Sequence, residues 1–202
     1  APPIERCRVL ELGCARGGNL LPMALELPEA SFLGVDLSER QIGEARKIAV
    51  KLGLSNVDLR AMSLSGIDAS FGTFDYIVCH GVYSWVPDEI REMILAICSD
   101  NLAPNGLAYV SYNTYPGWHE RGMVRELMLY HSRKATAAAG QIEKARAFPT
   151  QLAGVLTNAS SPYASVLRKE GELLRAAGEA YIFHDYLEVD NQPTYVHEFL
   201  TR

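Results

Sequence analysis

The sequence predicts an α/β protein built on a parallel sheet, and three observations carry that prediction. Five short apolar or β-branched runs recur along the first half of the chain. Helical spacing separates most of them, in stretches of about ten to fourteen residues, the usual length of a crossover helix. Beyond residue 118 the alternation stops and almost everything reads as helix, with an aromatic-rich end. The first run, Arg8-Val9-Leu10-Glu11-Leu12-Gly13, is short, mostly apolar and closed by glycine, as a buried strand requires. Leu20, Leu21, Ala24 and Leu27 then repeat at helical spacing until Pro28. Phe32-Leu33-Gly34-Val35-Asp36 is a second strand, and Ser38 is placed to cap a helix through Ile42, Ala45, Ile48 and Ala49 to Leu52, with Gly53 as its stop. Val57 to Met62 makes a third strand and Phe74 to Cys79 a fourth. Pro87 introduces a helix with Ile90, Ile94 and Ile97 on one face, Asn105-Gly106 reads as a turn, and Leu107 to Tyr112 is the fifth strand. Farther on, Ser161-Pro162 has the form of an N-cap followed by proline at the first helical position, with Tyr163, Val166, Leu167, Leu173 and Leu174 expected inward. Residues 1–118 are thus expected to form one domain and 119–202 a helical extension.

Composition narrows the function. The 202 residues carry 19 Lys+Arg against 24 Asp+Glu, a net charge of −5, so broad neutralisation of a nucleic-acid backbone is not expected. Residues 1–118 hold 9 basic and 14 acidic side chains and residues 119–202 hold 10 of each, so the negative charge belongs to the first part. With 48% hydrophobic and 21% charged residues the chain is expected to be folded throughout. No run approaches the ~18 apolar residues of a membrane span, and Ala1-Pro2-Pro3-Ile4-Glu5-Arg6 lacks the anatomy of a signal peptide. Cys7, Cys14, Cys79 and Cys98 form no CxxC pair, so they are expected to be reduced, partly buried thiols of a cytoplasmic protein.

In a doubly wound parallel sheet, ligands bind outside the carboxyl ends of the strands, where the strand order reverses. Gly13-Cys14-Ala15-Arg16-Gly17-Gly18 occupies that place after the first strand and before a helix, the setting of a nucleotide loop. Twenty-three residues beyond Gly13, Asp36 ends the second strand, where its two oxygens can accept both ribose hydroxyls of a nucleoside. The loop reads equally as G-x-A-x-x-G or G-x-A-x-G and by itself does not choose between NAD and S-adenosylmethionine. Glu11 bears on the choice: a carboxylate two residues before the loop repels a pyrophosphate and welcomes the ammonium of a methionine moiety. The bland alternative is that Glu11 pairs with Arg6 or Arg16.

The segments Val9-Leu10-Glu11-Leu12-Gly13-Cys14-Ala15-Arg16-Gly17-Gly18-Asn19 and Phe32-Leu33-Gly34-Val35-Asp36-Leu37-Ser38 resemble those of class I S-adenosylmethionine-dependent methyltransferases. Two longer segments, Phe74 to Pro87 and Ala108 to Trp118, resemble more narrowly the bacterial methyltransferases associated with a methyltransferase regulatory domain, a group that includes protein-lysine methyltransferases. The resemblance implies a Rossmann-like sheet of order 3-2-1-4-5. The sixth and seventh strands usual in the class are not evident, so the chain is expected to end before them and to bind cofactor while methylating poorly by itself. By position, the resemblance assigns Gly13, Cys14, Ala15, Gly17, Gly18 and Asn19 to the methionine end of S-adenosyl-L-methionine, where the charge argument also puts Glu11, Asp36 to the ribose and Leu37 to the adenine. Met62 and Ser63 are expected to flank the adenine, and His80, Gly81 and Val82 to line the cofactor after the fourth strand. Many members have an acid near the adenine amino group; this chain departs from that pattern, offering Ser63, with Asp68 farther along.

Methyl transfer to an amine asks the protein to align donor and acceptor and to receive the amine in its neutral form. Desolvation by aromatic groups lowers a lysine pKa and so serves that need. Tyr83 and Trp85 after the fourth strand, with Asn113 and Tyr115 after the fifth, are the expected substrate wall, the bland reading of Trp85 and Trp118 being loop anchors. The methyl acceptor is expected to be a protein lysine, with neither nucleic acid nor membrane as partner. His184-Asp185 and His197-Glu198 match no metal-ligand spacing, so no metal is expected. Arg121 and Arg125, four apart on one helix, are expected on a solvated face. The competing classes are an NAD-dependent oxidoreductase, disfavoured by Glu11, and a non-catalytic cofactor-binding or regulatory module.

Overall fold

Each of the five apolar runs becomes a strand. The computed structural model, which describes residues 2–135, 137–156 and 160–202, forms β1 (Arg8–Leu12), β2 (Ser31–Asp36), β3 (Val57–Ala61), β4 (Phe74–Cys79) and β5 (Leu102–Val110). All neighbours pair in parallel, in the order β3-β2-β1-β4-β5. Central β1 is buried along both faces from Val9 to Leu12, which is why its sequence is almost continuously apolar. Leu10 sits across from Leu33 of β2 on one side and Ile77 of β4 on the other. The strand order therefore reverses beside β1, and the carboxyl ends of β1 and β4 flank the switch point.

Helices α1 (Leu20–Glu26), α2 (Glu39–Lys51) and α3 (Asp88–Asp100) make the crossovers. Leu20, Leu21 and Ala24 of α1 and Ile42, Ala45 and Ala49 of α2 pack with Val9, Phe32 and Leu59 of the sheet into one buried cluster. Ser38 caps α2, its hydroxyl accepting from the Gln41 amide at 3.3 Å, and Leu52 with Gly53 closes it. The fifth strand differs from its expected span. It begins at Leu102, and its register against β4 jumps from the Phe74–Leu102 pair to the Tyr76–Leu107 pair. Pro104 and the expected turn at Asn105-Gly106 lie inside that irregularity, on an edge strand where a lost ladder bond is tolerated. Cys7, Cys14 and Cys79 are buried free thiols and Cys98 is partly buried; burial pushes Cys14 and Cys79 up to about 12 and Cys98 to about 11, away from thiolate chemistry.

Two compact units result, Ala1–Tyr112 with Arg202, and Asn113–Thr201. The second is helical: α4 (Trp118–Ser132), α5 (Ala138–Val155), α6 (Pro162–Ala176), the short α7 (Glu179–Ile182) leading into a π-helical turn at Phe183–Leu187, and α8 (Val196–Leu200). Ser161 caps α6 by accepting from the Ala164 amide at 3.2 Å, with Pro162 behind it. Val124, Met128, Leu167, Leu174, Ile182 and Tyr186 form this unit's core. Tyr163 points outward instead, and in the aromatic-rich end Tyr186 is fully buried while Tyr181, Phe183 and Tyr195 are exposed. Arg121 and Arg125 do not form a solvated face. Arg121 lies between Asp185 at 3.3 Å and Glu170 at 3.9 Å, and Arg125 donates to the Glu188 carbonyl. Among the described residues no named strand follows β5, and no helix is long and apolar enough to cross a membrane.

Candidate cofactor site at the carboxyl edge of the sheet

The chain leaves β1 by folding over β2. The Gly13 and Cys14 amides both donate to the Val35 carbonyl, at 2.8 and 3.1 Å, and the next turn closes with Gly17 donating to the Cys14 carbonyl at 2.8 Å. This course demands left-handed backbone at Gly13 (φ 71°), Ala15 (φ 48°) and Gly17 (φ 76°). At Gly13 a side chain would also collide with its surroundings, because a Cβ there would lie 2.5 Å from Val82 Cγ2. The segment after β4 thus rests directly on the loop after β1. Cys14 faces inward, while a Cβ on Gly18 would meet open space.

Asp36 ends β2 and ties the loop to it. Its Oδ2 accepts from the Ala15 amide at 2.9 Å and its Oδ1 from the Ser38 amide at 2.8 Å. Each oxygen keeps a second lone pair, so a partner outside the chain can be accepted as well. The next residue, Leu37, is an exposed apolar side chain, 78% accessible, at the same sheet edge.

Glu11 is the unusual residue of the site. It is 2% exposed; Asn19 Nδ2 donates to its Oε1 at 3.0 Å, whereas Oε2 is buried with no hydrogen-bond partner. Asn19 begins α1 without capping it, because its side chain is turned to Glu11 instead. Burial pushes the Glu11 carboxyl above its ordinary range, with the Asn19 and Leu20 amides pulling the other way. Neither bland partner is used: Arg6 pairs with Glu29 and Arg16 with Glu44. A buried carboxylate oxygen without a donor is costly unless a cation or donor reaches it.

The remaining expected residues divide by place. The Met62 amide continues the β3 pairing by donating to the Asp36 carbonyl at 2.9 Å. Ser63 is exposed and accepts from the Ser65 amide and hydroxyl. Asp68 is turned elsewhere: it caps a 3-10 turn through Ser70, and its carbonyl accepts from Asn101, whose own carbonyl holds the Phe74 amide at the start of β4. It therefore sits at the amino edge of the sheet, away from Asp36. His80 follows β4, its ring stacked on Tyr109 at 5.8 Å with Nδ1 3.4 Å from the phenol oxygen.

Of the expected substrate wall, Tyr83 is 1% exposed, its ring against Tyr112 and beneath the Arg91 guanidinium, and burial raises the pKa of its phenol. It packs the interior rather than presenting a face. Trp85 stays half-buried in the same 3-10 turn, Tyr83–Trp85. In the second unit, Asn113 donates to the Asn191 side chain at 3.1 Å. Tyr115 stacks on His119 at 4.2 Å and lies 5.4 Å from the Tyr195 ring. His119 and Tyr195 carried no signal in the sequence because 76 residues separate them. Glu198 is absorbed in capping α8 and Asp185 in the Arg121 pair. Among the described residues no three His, Cys, Asp or Glu side chains form a metal-sized cluster.

Comparison with known proteins points to a family. Residues 9–106 match the family model described as a methyltransferase domain. Two uncharacterised proteins of Rickettsia prowazekii are similar: one is 47% identical over 99% of this chain and 36% of the relative, and the other 40% identical over 100% of this chain and 80% of the relative. The structure of PKMT2 from Rickettsia typhi superposes with a TM-score of 0.85 at 42% identity, covering 99% of this chain and 38% of that protein; its complex with AdoHcy gives 0.84. The chain thus spans little more than a third of two of these three relatives. With its sheet order and its match to the methyltransferase-domain model, it belongs to the class I S-adenosylmethionine-dependent methyltransferases.

Proposed function

We propose that the chain binds S-adenosylmethionine at the carboxyl edge of β1, β2 and β4 and serves N-methylation of a protein lysine. The observation that carries the cofactor part is Glu11. Its Oε2 is buried without a donor beside the glycine loop, and the ammonium of a methionine moiety is the complement that oxygen lacks. Asp36 receives the ribose hydroxyls on the lone pairs its amide partners leave free, and exposed Leu37 lies against the adenine. Met62 and Ser63 flank the base, Gly13, Cys14, Ala15, Gly17 and Gly18 form the floor, and His80, Gly81 and Val82 the opposite side. When bound, S-adenosylmethionine supplies a methyl group activated on a sulfonium.

The chain's own residues then have to bring a neutral amine in line with that methyl. Trp85, half-buried in the turn after β4, is the residue proposed to receive the lysine, shedding water around it so that the unprotonated form is reached more easily. The resemblance of the segments after β4 and β5 supports the lysine acceptor, as does the likeness to PKMT2 over nearly the whole chain. Calorimetric titration with S-adenosylhomocysteine tests the first part, with NADH as the control expected to give no heat. Labelled S-adenosylmethionine added to a lysate with this protein tests the second. Label recovered as methyl-lysine is expected; label only on oxygen or on small molecules overturns the acceptor, and no binding of S-adenosylhomocysteine overturns the whole reading.

A further inference from the structure

Ser111 is one residue beyond the end of β5 and carried no signal of its own in the sequence. It grips the segment after β4 at two points. Its amide donates to the Cys79 carbonyl at 3.0 Å, and its Oγ accepts from the Gly81 amide at 2.8 Å. Between those two grips the chain passes His80 and enters the left-handed region at Gly81 (φ 68°), a turn that glycine makes without strain. The turn delivers Val82 onto the glycine loop, where Val82 Cγ2 fills the space a Cβ on Gly13 would need. A continuous chain of contacts therefore runs from Ser111 through Gly81 and Val82 to Gly13. The two segments that face each other across the switch point are set by a hydroxyl from a third strand.

From this geometry we infer that Ser111 is a positioning residue for the cofactor site: its Oγ holds Gly81 so that Val82 and Gly13 stay in contact and the mouth between the β1 and β4 loops keeps its width. It acts through Gly81 rather than by touching the cofactor, and the inference rests on the cofactor reading above. Without the hydroxyl, the half-buried Gly81 amide loses its acceptor and the turn is free to relax, so cofactor must order the loop as it binds.

The test pairs Ser111→Ala with Ser111→Thr in the whole chain. Ser111→Ala is expected to weaken S-adenosylhomocysteine binding about five- to tenfold, the effect of one net hydrogen bond, while Ser111→Thr, which keeps the oxygen, restores most of it. Amide hydrogen exchange at Gly81 supplies a readout independent of turnover. In the unaltered chain, S-adenosylhomocysteine should raise Gly81 protection, and in Ser111→Ala that protection should fall before binding while the β1 amides keep theirs. If Ser111→Ala loosens Gly81 yet binds as tightly as the unaltered chain, the positioning role is wrong. If it fails to fold, unchanged Gly81 exchange on ligand binding to the unaltered chain overturns the role equally. No binding by the unaltered chain overturns the inference together with the cofactor reading, whereas normal binding with an insensitive Ser111 overturns the inference alone.

Discussion

On the proposed function, a buried carboxylate with one oxygen paired and one bare makes Glu11 a residue whose worth reverses with its ligand. Burial raises its pKa over the unfolded value, so the folded state binds the proton more tightly than the unfolded one. Its contribution to stability is therefore full below the ordinary glutamate range and is lost as pH rises through the folded pKa. Glu11→Gln removes that dependence while keeping the shape and the Asn19 contact. It is expected to raise the melting temperature of the unliganded chain at neutral pH and to flatten its fall from acid to neutral pH, as scanning calorimetry would read. The same change should weaken S-adenosylhomocysteine binding by about ten- to a hundredfold, because a charge-assisted bond is lost. A tighter apo protein that binds as well as before would take Glu11 out of the site. Asp36 behaves differently, since its two amide partners make it part of the loop's architecture. Asp36→Ala is expected to cost affinity by about 1.5–3 kcal/mol and to lower the melting temperature too; loss of stability with affinity intact would make it a purely structural residue.

At the scale of elements, what the sequence announced was set by short-range physics. β1, β2 and β4 are buried runs bounded by turn residues, α2 advertises its own cap and stop, and the glycine loop follows from its place between strand and helix. β5 was misjudged at its start because Asn105-Gly106 ends most strands, whereas here the register jump against β4 absorbs it. The substrate wall was misjudged at Tyr83 because an aromatic residue after a strand gives the same signal whether it lines a cleft or anchors a turn. The helices of the second unit were legible and their polar interior was not. Tyr186 donates to Glu170 at 2.5 Å, both buried, with Arg121 drawn between Glu170 and Asp185; α4, α6 and the π-helical turn supply one partner or more each. Helical periodicity marks Arg121 and Glu170 only as polar positions, and their meeting depends on how three helices cross. Tyr186→Phe leaves a buried carboxylate short of a donor and should destabilise the chain by about 1–3 kcal/mol, measured by urea unfolding. Tyr163→Phe, at an exposed site, should change it by less than about 0.5 kcal/mol. Equal effects of the two would show that the Glu170 contact contributes nothing.

For the molecule as a whole, the sheet's two edges are finished in different ways. β3, at one edge, carries Asp58 and Arg60 in an exposed ion pair at 2.6 Å, the kind of charge that discourages a second chain from pairing there. β5, at the other, has no charged residue in its nine, and Leu107 and Tyr109 are 53% and 54% exposed. Pro104 interrupts only its irregular first half, so from Leu107 to Val110 the outer row of backbone groups is a template for pairing. Net charge does little to oppose this, because −5 over 202 residues is a modest repulsion that salt screens further. The 202-residue chain is therefore expected to self-associate as its concentration rises, seen as a weight-average mass above the monomer in sedimentation equilibrium, and more so at high ionic strength. Leu107→Lys places a charge on that edge without touching the glycine loop, Asp36 or the segment after β4. It should return the mass toward the monomer and leave S-adenosylhomocysteine affinity unchanged. If the unaltered chain stays monomeric across the range, the β5 edge is protected by something other than charge. If Leu107→Lys associates as strongly as the parent, the association runs through another surface.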